Sequence, residues 1–398
     1  MQKYNINNLD EFIALWQSND KYFAMLQLMA KLSRLFSESS TPYLDYRLTE
    51  NLFCKYFSAQ NDARSCTAYD AVLSKLGIGI KTFILKGTNA MTSVEKIAEF
   101  NKNRKDILPL IGIDLARKIA EFRNERIDLA NRAHGVTESQ YHIIGRTDGL
   151  LRVFNTPYET INIDDITIDK DDVTSCIFHD DKNEYIFNKS KSVLLKRFTV
   201  PKTYKDITVN IIEEPLALLE KLLNSDSPII RQSAKLKRGI DYIVLPLYSE
   251  KKGTRYVPEK SGLNMFNAGG RKRNRFEVYI PVPIEIHKNY PKFFPSRDES
   301  FCLHLPDGTS LSAKICQDNG KALMSNPNKD LGKWLLKTIL KKRDWEIVTI
   351  EDLDKYGFDS ICIRDLHRTN ENGEKEYSLS LSEVDNNYAR FRTEYNID

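Results

Sequence analysis

Two groups of residues in this chain have the types and spacing to do chemistry. Asp70 opens an apolar run, and beyond Gly77 a second run, Ile78-Gly-Ile-Lys81-Thr-Phe, sets a lysine among apolar neighbours. Lysine is rarely found inside a strand that otherwise reads as buried. The other group is basic: Lys251, Lys252, Arg255, Lys260, Arg271, Lys272, Arg273 and Arg275 crowd together, with Glu259 the lone acid among them. That density neutralises several phosphates and releases their counterions. Ser261-Gly-Leu-Asn264-Met-Phe-Asn267-Ala-Gly-Gly270 adds small residues for close approach and amides that pair with adenine edges, while Arg271, Arg273 and Arg275 suit guanine. A second amide-rich stretch holds Gln317, Asp318, Asn319, Lys321, Ser325, Asn326 and Asn328 and ends where a helix is predicted to begin, at Asp330-Leu-Gly-Lys-Trp334. Its side chains offer base-edge donors and acceptors, and the helix N-terminus suits a phosphate.

The rest of the composition sets bounds. A chain of 398 residues with 41% hydrophobic and 29% charged residues is globular, and its length favours more than one domain. Lys and Arg total 59 against 55 for Asp and Glu, so polyanion binding must come from clustering rather than from net charge. No apolar stretch approaches the roughly 18–20 residues of a membrane helix, and the start lacks the apolar core of a signal peptide, so a cytoplasmic protein with no membrane partner is expected. Six scattered cysteines form no C-x-x-C pair and have no histidine at zinc spacing. They are expected to be reduced and to act as small apolar side chains.

The elements that must position these groups follow from periodicity. Leu9 to Phe36 reads as one or two amphipathic helices, and a further helix runs from Asp45 through Phe57. Tyr69–Leu73 and Ile78–Leu85 read as strand, turn, strand, with Gly77 and Gly79 at the turn. Helices are expected over Ser93–Asn101 and about Ile113–Arg132, the latter with charge pairs facing solvent. Short β-rich runs fill Tyr141 to Ile212. Asn224-Ser-Asp-Ser-Pro228 reads as a hinge, which predicts domains at 1–225 and 226–398. Beyond it, DYIVLPL, FEVYIPVP, SFCLHL, LSAKIC, WEIVTI, SICIRDL and YSLSLSEV are candidate strands of a mainly-β barrel or sandwich, with helices only at Leu331–Leu340 and Glu351–Tyr356.

SGLN followed by GRKRNRFEVYIPVP, then FFP, LPDG, AKICQDNGKALMSNPN and LGKWLL, resembles the B3-like DNA-recognition domain at the C-terminus of certain bacterial restriction endonucleases. The resemblance covers Arg238 to Val384. It implies a seven-stranded open pseudobarrel with two arms in the major groove, here Ser261–Arg275 and Cys316–Asn328. One departure is Met265-Phe266, where a Trp-Gly pair is expected. Such readers often accompany a phospholipase-D-type nuclease, but no histidine here has a lysine two residues on, which excludes it. An H-N-H site lacks its histidine cluster. Asn155-Thr-Pro-Tyr158 is one residue from a methyltransferase N-P-P-Y, with no glycine-rich cofactor loop beside it.

Asp70, a hairpin, and a strand ending in x-x-Lys81 resemble the PD-(D/E)XK nuclease core, a mixed sheet flanked by helices in an α+β domain. Glu50 stands on the preceding helix where many of these nucleases keep an additional acid. The resemblance implies Mg²⁺ held by Asp70, Glu50 and the Ile80 carbonyl, with several waters left on the ion. The metal activates a bound water and stabilises charge on the phosphate, and Lys81 neutralises the phosphate or orients the water. The family usually has an acid or amide where this chain has Gly79. Arg64, Ser65 and Thr82 flank this centre as phosphate contacts, and Glu99 and Asn101 are supporting candidates. Arg123 and Arg126 are candidates for the DNA backbone, and His142, Arg146 and Asp148 form a polar cluster on a strand end. The expected function is a type II restriction endonuclease that cuts double-stranded DNA within a restriction-modification system, as a homodimer, with a cognate DNA methyltransferase as functional partner. The alternatives are a non-catalytic DNA-binding protein and a modification-dependent endonuclease.

Overall fold

In the computed structural model, residues 6–62, 68–223, 240–297, 299–383, 387–395 and 397 are described. Chain contacts divide it into two compact units. The first takes in the described residues up to Leu223 apart from Leu129–Gly135, and the second takes in Leu129–Gly135 and the described residues from Ile240 onward. The proposed hinge, Asn224 to Pro228, lies outside the described residues, as do Arg64, Ser65 and Cys66.

The first unit begins with α1 (Leu9–Leu15), α2 (Asp20–Lys31) and α3 (Tyr46–Phe57). Asp45 caps α3 by accepting from the Arg47 and Leu48 amides, and Ser58 closes it in a left-handed conformation. The apolar side of α3, with Leu52, Phe53 and Phe57, packs with Ile78 and Ile80 of the sheet behind it. That sheet is β1 (Gln60–Asn61), β2 (Ala71–Leu73), β3 (Leu76–Ile84), β5 (Glu138–Thr147), β6 (Leu150–Pro157) and β11 (Tyr204–Thr208), in the order β1-β2-β3-β5-β6-β11. β2 and β3 form a hairpin, whereas β3 and β5 are parallel. α4 (Arg104–Ile107) and α5 (Gly112–His134) fall between those parallel strands in sequence.

The hairpin turns at Ser74, whose φ is 53°, so Gly77 and Gly79 lie inside β3 and not at the turn. A Cβ at Gly77 would come within 2.6 Å of the Tyr69 ring, and one at Gly79 within 2.7 Å of Tyr158. The glycines are there because aromatic rings lie flat on the strand. Ser93–Asn101, expected to be helical, contains most of strand β4 (Thr92–Glu99). β4 edges the second sheet, β4-β10-β9-β8-β7, and pairs along its length with β10 (Val193–Thr199). β7 (Thr167–Asp171), β8 (Ser175–His179) and β9 (Glu184–Asn188) complete that sheet. Glu, Lys and Ala in β4 favour helix locally, and the ladder with β10 overrides them.

The second unit carries a seven-stranded sheet of β12 (Tyr242–Pro246), β15 (Ile280–Pro281), β16 (Ser300–His304), β17 (Ser310–Cys316), β18 (Ala322–Ser325), β19 (Phe358–Thr369) and β20 (Lys375–Glu383). Their order is β12-β19-β20-β16-β17-β18-β15, and the end strands β12 and β15 approach each other, so the sheet is a nearly closed barrel. A short ribbon, β13 (Ser249–Lys251) and β14 (Thr254–Tyr256), stands apart from it. WEIVTI is not a strand: Trp345 sits in a turn at φ 67°, and Thr349 caps the helix Ile350–Tyr356 with a capping box. Of FEVYIPVP only Ile280–Pro281 is strand. Lys333–Ile339, the expected helix, is wound as a π-helix.

Candidate functional site

Asp70 stands one residue ahead of β2. Its amide donates to the Ile78 carbonyl at 2.9 Å, and its Oδ2 accepts from the Ile80 amide at 2.7 Å. Glu50, on the buried side of α3, accepts from Arg47 Nη1 at 3.0 Å and is only 5% exposed. Burial and then the neighbouring Asp70 carboxylate push the Glu50 carboxyl up to about 7, against the pull of Arg47 and Lys81. Burial also raises Asp70, opposed first by the Lys81 ammonium and then by the Ile80 amide. Buried Asp62 adds to the negative field at Asp70. Glu50, Asp70 and half-buried Lys81 thus lie within one another's field.

Burial dominates at both carboxyls, the Asp70 charge adds to it at Glu50, and Arg47 and Lys81 oppose it at both. Glu50 is buried and Asp70 half-buried, and a divalent cation between them would relieve both raised carboxyls at once. A third acid on β3 is sterically shut out. Tyr158, stacked on Tyr141 at 4.1 Å, occupies the space in front of Gly79. Among the described residues there is no group of three His, Cys, Asp or Glu side chains set to hold a metal. Ile80 meets Asp70 through its amide.

The supporting candidates fare differently. Glu99 pairs with Lys96 and Asn101 on the outer sheet, so neither Glu99 nor Asn101 is tied to Asp70. The Thr82 hydroxyl is buried and has no partner among the described residues. His142 is not part of a polar strand-end cluster: it is fully buried, bonded to the Tyr22 hydroxyl at 2.9 Å and Asn155 Oδ1 at 2.7 Å, and burial lowers its pKa to about 4. Asp148 accepts from Ser40 and Thr41, away from it. Nor does all of α5 face solvent. Arg123 is 3% exposed, donates to the Glu159 carbonyl at 2.7 Å and lies 5.4 Å from the Tyr158 ring centroid. Arg126 lies over Phe100.

In the second unit the expected arm residues split into an exposed set and a committed set. Asn267, Asp318, Asn319, Lys321, Asn326 and Asn328 are exposed, and Ser261 and Gln317 are half-buried. Asn264 is instead fully buried, its amide donating to the Pro258 and Val348 carbonyls and its oxygen accepting from the Val348 amide. Ser325 is also buried, donating to the Pro327 carbonyl and accepting from the Leu331 amide. These two side chains hold loops together and have no face left for a base edge. Arg271 and Arg273 both donate to the buried Glu277 carboxylate, and Arg275 pairs with Asp344. Half of Arg271 and Arg275 remains exposed, whereas Arg273 is 11% exposed.

Sequence reasoning missed the loop Lys341-Lys-Arg-Asp-Trp345. Its Trp345 is 58% exposed, with its ring 6.2 Å from Phe266 of the first arm, and Asp344 joins Arg275 to Lys337. The K-K-R-D-W string is its signal, and the expectation of a strand over WEIVTI hides it.

Residues 240–367 match the family described as the NgoFVII C-terminal B3-like DNA-binding domain. That stretch spans most of the barrel and both arms, and it supports DNA as the partner of the second unit. No curated protein matches the chain. Among the described residues no helix is long and apolar enough to cross a membrane.

Proposed function

We propose that this protein is a sequence-specific, Mg²⁺-dependent DNA endonuclease whose second unit reads bases and whose first unit hydrolyses a phosphodiester. The observation that carries the reading is the placement of Glu50 and Asp70 in each other's field beside Lys81, in the element order α3, β2, β3, α5, β5 with β3 parallel to β5. Glu50, Asp70 and the Ile80 carbonyl would hold the ion. When bound, it supplies an activated water and offsets charge on the phosphate. Asp70 is oriented for this by the Ile80 amide, and Glu50 is oriented by Arg47. Lys81 sets its ammonium against the scissile phosphate. The exposed arm residues and the free faces of Arg271 and Arg275 carry base and backbone contacts, as charge-assisted forks do. A homodimer and a methyltransferase of matching specificity belong to the same proposal.

Digestion of a sequenced plasmid with and without Mg²⁺ tests it. Discrete fragments that require the ion, and that disappear in Asp70→Ala and Lys81→Ala, are expected. The blocked third-acid position at Gly79 favours a second reading, a DNA-binding protein that does not cut. Specific binding with no nicking at any Mg²⁺ concentration would establish that one instead.

A further inference from the structure

The first unit contains a cleft of about 530 Å³ that the nuclease reading does not use. Its walls come from the end of β6 and the residues after it (Thr156, Pro157, Glu159), from the β8–β9 turn (Lys182, Asn183), and from β10 (Lys196 to Thr199). We propose that this cleft is a phosphate-binding pocket for a ligand of about nucleotide size, with the Lys196 ammonium as its anion contact.

Lys196 lines the cleft yet is only 5% exposed. Among the described residues its Nζ has no hydrogen bond or ion pair; it lies over the Tyr141 and Phe198 rings at 5.7 and 5.5 Å. A buried, unpaired ammonium is costly and persists where a counter-charge visits. The Thr156 hydroxyl, in the same wall, is also buried and has no partner among the described residues. At the rim the charges cancel: Lys182 pairs with Glu159 and Arg197 with Glu184. The remaining charges near the cleft are Lys196, buried Arg123 and the buried Asp180 carboxylate, two cations against one acid, so the balance favours an anion. The volume lies in the range of small-molecule pockets and exceeds what a bare phosphate fills, and Pro157 and Phe198 give an apolar wall for the remainder. Burial and the nearby Arg123 lower Lys196 to about 8, with Glu159 and Asp180 opposing. A bound phosphate would restore the proton.

The test uses the full chain. Calorimetric titration with inorganic phosphate and with dAMP is expected to show binding, with dAMP the tighter. Lys196→Met should weaken both by at least about tenfold, the loss of one charge-assisted contact, and Lys196→Arg should recover part of it. Thr156→Val, which leaves the ammonium in place, should weaken both less. Affinity should fall steadily above pH 8 as Lys196 loses its proton, since Arg123 and Arg197 stay charged. A purely structural lysine would leave that profile flat. The phosphate could belong to a free nucleotide or to the DNA backbone. Displacement of dAMP by random-sequence duplex assigns it to the backbone, and retention assigns it to a nucleotide. Absence of binding by either probe, or unchanged affinity in both Lys196→Met and Thr156→Val, overturns the proposal.

Discussion

Two buried acids in this protein are treated in opposite ways. Glu277 in the second unit is 3% exposed and is gripped by Arg271 and Arg273, so its charge is met and its loop is held. Glu50 in the first unit is equally hidden, but its one arginine, Arg47, is half in solvent, and Asp70 pushes against it. A fully paired buried acid is architecture: it fixes a segment and has nothing left to bind. An underpaired one retains free energy that a ligand can release, which is why strained electrostatics cluster at working sites.

The sharpest way to break this comparison is at Asp70 and Lys81. Alanine at either is expected to lower Mg²⁺-dependent cleavage by about 10²–10³-fold or more while specific binding in a gel shift is retained; cleavage at the native rate would put Glu50 and Asp70 in the same class as Glu277. Next comes Glu277→Ala, which strands two guanidiniums. It should cost about 2–3 kcal/mol in urea unfolding, below the cost of a wholly buried pair because Arg271 is half exposed. A stability change within error would mean that Glu277 holds nothing.

Gly79→Ala probes why the first site lacks a third acid. Its Cβ meets Tyr158 and Tyr141 inside 3 Å, so a loss of about 1–3 kcal/mol is expected. An unchanged melting temperature would show that the rings move aside freely. The smallest effect is Glu50→Gln. With its carboxyl raised from 4.5 to about 7, metal-free Glu50 contributes its full stability below pH 4.5 and loses it as pH rises through about 7. The variant should therefore be about 1–2 kcal/mol more stable than the parent at pH 8 without Mg²⁺, and the gap should close at pH 4 or when Mg²⁺ is added. A gap that ignored both pH and metal would remove the electrostatic explanation.

Much of the frame was legible beforehand. The α3 cap at Asp45, the long α5 and the succession of short strands after residue 240 are local patterns, set by period and by turn chemistry. Lys81 is conspicuous because it is a charge in an apolar run, whereas Asp70 and Glu50 join it only through the resemblance to a nuclease core. What escaped were positions where local preference loses to a partner far along the chain. Thr92–Glu99 carries helix-forming residues and is a strand because β10 pairs with it. Arg123, in a helix that reads as solvated, is buried under Tyr158.

Sequence by itself therefore determined most of the elements and where the cations and amides crowd. Tertiary structure alone decided which of those polar groups are already spent. Asn264 and Ser325 look like base readers in a string of letters and are internal ties in the fold, whereas Lys196 looks like an ordinary strand lysine and lines a cleft with no ion pair among the described residues. The physical reason is that a polar side chain's availability depends on its hydrogen-bond partners and its access to water. Both are set by residues distant in sequence: Val348 for Asn264, Tyr141 for Lys196.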